Sequence, residues 1–126
     1  MAVHNFAPVR ALQREVVELY LKCTGAGGTS NPTIDTGAGK GVTSIIYNSA
    51  TGKYKVTLDQ KYAGLLFVSG TVIEPSSVDD WEVVVEAETV ATTKTISLAV
   101  FKGGTLAALT TGEKLLLEIV LKNVSA

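Results

Sequence analysis

Side chains able to do covalent or metal chemistry are scarce in this 126-residue chain: His4 is the only histidine and Cys23 the only cysteine. A triad of nucleophile, base and orienting acid needs an imidazole among ordered neighbours, and a multi-histidine metal site needs several. His4 stands in a stretch without hydrophobic period and reads as a surface side chain. One cysteine excludes an internal disulfide and a cysteine-rich zinc site. A nucleophilic thiol also needs a base beside it, so Cys23 reads as a small apolar residue at a strand end.

The glycine-rich stretches fail as phosphate loops. Gly39-Lys40 and Gly52-Lys53 have Ile34 and Tyr47 where a Walker A motif has its first glycine, and no Ser or Thr follows either lysine. Gly25-Ala26-Gly27 and Gly37-Ala38-Gly39 lack the third glycine of a dinucleotide fingerprint, with Ser30 and Val42 in its place. Glu74, Asp79, Asp80, Glu82, Glu86 and Glu88 form an acidic run, but without the ligand spacing or the glycine of a calcium loop they read as a solvated strand face. Asn123-Val124-Ser125 matches a glycosylation acceptor and is read as chance, since no apolar leader precedes it. No catalytic residue, cofactor site or metal site is expected.

Balanced charge removes further classes. Eleven Lys and Arg against twelve Asp and Glu give a net charge of -1, without the basic excess of a general nucleic-acid binder. Residues 1–61 carry seven bases and four acids (+3) and residues 62–126 four bases and eight acids (-4), an asymmetry suited to complementary contact between subunits. Apolar runs of about five residues are far shorter than the ~20 needed to span a bilayer as a helix, so no membrane partner is expected.

The elements that must position these residues read as strands. Val, Thr and Ile make up 37 of 126 residues, Pro only three and Gly twelve, a mixture that suits pleated sheet and its turns. Residues 1–14 have no clear period and read as an extended N-terminal arm. A helix over Pro8 to Leu21 competes, since Leu12, Val16 and Leu19 share a helical face. The alternation of Val17, Leu19, Leu21 and Cys23 favours a strand from Glu15. Residues 24–41 hold six glycines and read as a long surface loop, a candidate contact segment without regular structure. Val42–Tyr47 and Lys53–Asp59 form a hairpin about Asn48–Gly52. Leu65–Ile73 reads as a strand buried on both faces, Trp81–Glu88 and Thr95–Lys102 as half-buried strands, and Lys114–Asn123 as the last strand. Thr105–Leu109 allows one helical turn. About seven strands in one domain predict an all-β fold, a single antiparallel β-sandwich or jelly-roll-like barrel over residues 15–126.

The segments Pro8-Val9-Arg10-Ala11-Leu12-Gln13-Arg14-Glu15-Val16, Gly39-Lys40-Gly41-Val42-Thr43-Ser44-Ile45, Thr51-Gly52-Lys53-Tyr54-Lys55-Val56-Thr57-Leu58 and Leu121-Lys122-Asn123-Val124-Ser125 resemble those of small virion structural proteins of tailed bacteriophages and cyanophages. Some proteins of this kind are capsid cement or decoration proteins, trimers on the virion exterior that clamp neighbouring major capsid protein subunits. The resemblance implies that role, a homo-oligomer and assembly in the host cytoplasm, and brings no catalytic residues. Phe6, Val9, Arg10, Leu12 and Arg14 are the expected partner-binding residues, because apolar and Arg side chains dominate interface energetics. A tail or head-tail connector component is the first alternative reading. A carbohydrate-binding module is the second, disfavoured because Phe6, Tyr47, Tyr54, Phe67, Trp81 and Phe101 read as arm, hairpin or core.

Overall fold

The computed structural model describes residues 15–123. Its strands in chain order are β1 (Val16–Thr24), β2 (Thr33–Ile34), β3 (Val42–Tyr47), β4 (Lys53–Leu58), β5 (Gly64–Ile73), β6 (Trp81–Glu88), β7 (Thr95–Lys102), β8 (Thr105–Leu106) and β9 (Lys114–Lys122). They form two antiparallel sheets, one ordered β2-β1-β9-β5 and the other β3-β4-β7-β6, with β8 paired to the end of β7. The described residues contain no helix. The fold is the all-β sandwich that the alternating pattern predicts, and the seven long strands are the seven expected.

Period-two alternation builds the core. Leu19, Leu21 and Cys23 of β1 and Leu115, Leu117, Ile119 and Leu121 of β9 point inward from the first sheet. Tyr54, Val56 and Leu58 of β4 and Ile96, Leu98 and Val100 of β7 meet them from the second, with Tyr62, Val90 and Leu109 closing the ends. Such interdigitated inner faces are the usual solution for two packed sheets. Cys23 is fully buried, and burial pushes its thiol up to about 11, which keeps it protonated and unreactive at neutral pH.

Two turns depend on glycine. Gly52 ends the β3–β4 turn at φ +86°, and a Cβ there would lie 2.8 Å from the backbone nitrogen of Ala107. Gly103 and Gly104, at φ +59° and +84°, make the two-residue reversal between β7 and β8, the left-handed pair that matches the twist of a hairpin.

Three expectations are corrected. Leu65–Ile73 is not buried on both faces: β5 is an edge strand paired only with β9. A bulge between Leu65 and Phe67 leaves Leu66 and Phe67 about half exposed, so Phe67 is not a core aromatic. Thr105–Leu109 is not a helical turn, because the preceding glycine pair folds Thr105 and Leu106 back onto Phe101 and Lys102 as β8. The 24–41 segment does contain regular structure, since Thr33 and Ile34 pair with Thr24 and Cys23 as β2. That segment is also fastened to the body by backbone bonds from Gly25 to Glu113 O (2.8 Å) and from Gly27 to Leu109 O (2.9 Å).

Candidate interaction surface

Antiparallel pairing directs the N–H and C=O of alternate residues to opposite neighbours. On β1 the backbone of Lys22 faces away from β9: its N–H donates to Ala38 O at 2.8 Å and its C=O accepts from Asp35 at 2.9 Å. Glu18 and Tyr20, four and two residues earlier, therefore turn their backbone groups to the same side. There β2 has already ended, for it covers only Cys23 and Thr24. Among the described residues no strand pairs with that side of Val16–Leu21.

A groove of about 720 Å³ runs beside this unpaired edge. Leu19, Leu21, Tyr62 and Leu117 line it with side chains that are already almost fully buried in the core, the 37–41 turn supplies one wall, and Asp59 and Gln60 also line it. Gly41 permits this wall at φ +89°, where a Cβ would sit 2.8 Å from the Leu19 side chain. Polar bonds anchor the segment carrying the wall. The Asp35 carboxylate accepts from Thr24 Oγ1 at 2.6 Å and from Lys114 Nζ at 2.8 Å. Bonding to Lys114 and then Thr24 holds the Asp35 carboxyl below its ordinary range.

The outward face of the same sheet is mixed. Cross-strand rows place Glu18, Val120 and Phe67 side by side, then Tyr20, Glu118 and Ser69. Tyr20, 59% exposed, donates its hydroxyl to Glu18 at 2.6 Å and lies 3.3 Å from a Glu118 oxygen. The bond to Glu18, with both carboxylate charges, pushes the phenol up to about 12. Neither carboxylate has a cationic partner among the described residues.

The acidic run divides. Glu82, Glu86 and Glu88 lie on an exposed strand face as expected, but the Glu74 side chain is only 7% exposed. Lys102 Nζ lies 3.3 Å from both Glu74 and Asp79 and 5.4 Å from the centre of the Trp81 ring. Burial disfavours the Glu74 carboxylate, yet the neighbouring Trp81 indole and Lys102 ammonium outweigh it and hold the carboxyl low, although both Glu74 oxygens and Trp81 Nε1 are buried without a hydrogen-bond partner among the described residues. This cluster ties the β5–β6 connection to β7. No group of three metal-ligating side chains occurs among the described residues.

The expected anchors Phe6, Val9, Arg10, Leu12 and Arg14 lie outside the described residues. The 24–41 segment, expected as a contact loop, forms part of the groove wall. Sequence reasoning missed the unpaired edge and its groove; the brevity of β2, two residues inside a glycine-rich stretch, was the only available signal. No protein-family model, no curated protein and no solved structure matches this chain.

Proposed function

We propose that this chain is a non-enzymatic virion structural protein of the capsid cement type, which binds the outer shell of a phage head and stabilises contacts between major capsid protein subunits. The observation that carries an assembly role is the unfinished edge of the first sheet. Backbone donors and acceptors stand unpaired beside an apolar groove, an arrangement that receives an extended protein segment by strand addition. Exposed Leu66, Phe67 and Ile73 on the opposite edge strand add apolar surface of the kind used in protein contacts. The capsid as partner, and the trimer as the working form, come from the sequence resemblance. In this reading Phe6, Val9, Arg10, Leu12 and Arg14 make the contacts with neighbours.

The reading is tested by saturating purified heads that lack the protein with the full chain and with a chain lacking residues 1–14. Both are expected to unfold cooperatively, and only the full chain to be retained on heads. A cooperatively folded truncated chain that still saturates heads would remove the arm from the proposal.

A further inference from the structure

We infer that two copies of this chain join through β5, edge to edge and antiparallel about a twofold axis at Gly70, so that their first sheets run on as one. This twofold contact is separate from capsid binding and from the trimer that the resemblance implies.

The β5 edge is open. It ends its sheet and pairs only with β9 among the described residues. The Lys22 backbone faces away from β9, so that of Leu116, its cross-strand partner, faces away from β1 and towards β5. Thr71 stands opposite Leu116 and therefore bonds to it. By alternation Ser69 and Ile73 also bond to β9, whereas Val68, Gly70 and Val72 turn their N–H and C=O outward. No described backbone group meets them there.

The edge is also unguarded. Exposed edges are normally blunted by charge, proline or a bulge. On β6, an edge of the second sheet, Glu82, Glu86 and Glu88 are exposed and a bulge falls between Val85 and Ala87. None of the ten residues of β5 is charged or proline, and its one register shift lies before Phe67.

The order of the side chains selects the occupant. Phe67-Val68-Ser69-Gly70-Thr71-Val72-Ile73 presents the same chemical types in either direction about Gly70, and a twofold contact needs such a self-complementary patch. With Gly70 facing Gly70 of the second copy, Val68 faces Val72 and the outward-turned backbone groups bond in register. On the solvent side Ser69 then stands beside Thr71 of the second copy and Phe67 beside Ile73. Paired hydroxyls and an aromatic ring beside a β-branched side chain both stabilise a sheet. The contact covers Phe67 and Ile73, which are 50% and 42% exposed in the single chain. A slip of two residues keeps backbone bonds but sets Phe67 beside Thr71, or Ile73 beside Ser69, and loses both matches.

The test uses the full chain. Light scattering across a concentration series is expected to show association. Thr71→Lys, at an exposed position, brings two like charges together across the axis; it is expected to move the association midpoint to at least about tenfold higher concentration and to leave unfolding cooperative. Register is read by mixing Ser69→Cys and Thr71→Cys chains under oxidising conditions. These positions face each other as a non-hydrogen-bonded pair with Cα atoms about 4.5 Å apart, within disulfide reach, whereas each lies diagonal to itself at about 7–8 Å. The mixture is expected to cross-link at least about tenfold faster than either chain alone. Cys23 is buried and takes no part while the chain is folded. For a Thr71→Lys chain that fails to fold, cross-linking decides alone.

A chain that stays monomeric at every concentration would overturn the inference. So would an oligomer that a folded Thr71→Lys chain still forms at the same concentration. Ser69→Cys and Thr71→Cys chains that cross-link no faster together than apart would overturn it as well.

Discussion

Tyr54 ties the β8–β9 link to the sandwich core through one hydrogen bond. Its ring is 1% exposed, and its hydroxyl accepts from the backbone N–H of Leu109 at 3.0 Å. Leu109 is itself fully buried, and its carbonyl accepts from Gly27. Tyr54→Phe deletes only the hydroxyl and leaves a buried N–H unsatisfied, a loss of about 1–3 kcal/mol. That is about a 5- to 150-fold change in the folding equilibrium. Tyr20→Phe deletes the same group at an exposed position, where the lost bonds go to carboxylates that water solvates, and is expected to leave the unfolding midpoint close to that of the parent. Guanidinium unfolding of the three proteins at equal slope gives the two differences directly. Equal losses at both positions, or no loss at Tyr54, would refute the reasoning that burial of the Leu109 donor sets the magnitude.

Gly25→Ala would place a Cβ 2.5 Å from the Leu109 carbonyl oxygen, a backbone atom that cannot yield without moving the β8–β9 link. The unfolding midpoint should fall more than for Gly28→Ala, where a Cβ meets nothing but φ is +53° and the strain is about 1 kcal/mol. Asp35 titrates below its ordinary range because of Lys114 and Thr24, so its contribution to stability is present at neutral pH and fades as pH falls through that lowered value. Asp35→Asn should accordingly lower stability at pH 7 and flatten the acid limb of a stability–pH profile. Cys23, with a thiol raised to about 11 by burial, should resist a thiol-specific reagent at neutral pH in the folded chain and react once denaturant unfolds it.

Most of the fold was legible because the long strands are half-buried and alternate. Tyr54, Val56 and Leu58 against Lys53, Lys55 and Thr57 mark one strand, and Leu115, Leu117, Ile119 and Leu121 mark another. What misled was apolar content without context: Leu65–Ile73 looks doubly buried, yet its outward side chains belong to an edge strand that no described element covers. Two-residue strands such as β2 and β8 carry no period at all. The groove was illegible for a deeper reason, since it arises from where β2 stops relative to β1, a long-range pairing length that no local pattern encodes. The Tyr54–Leu109 bond joins residues 55 apart in sequence and lies equally beyond local reading.

The proposed assembly of this sandwich on a phage head is best tested by copy number. Purified chain is mixed with isolated heads and, separately, with isolated tails, and the copies retained on each are counted by quantitative mass spectrometry. A lattice-wide cement role predicts hundreds of copies on heads and none on tails. A handful of copies on tails or at one vertex, or none on either, would contradict it.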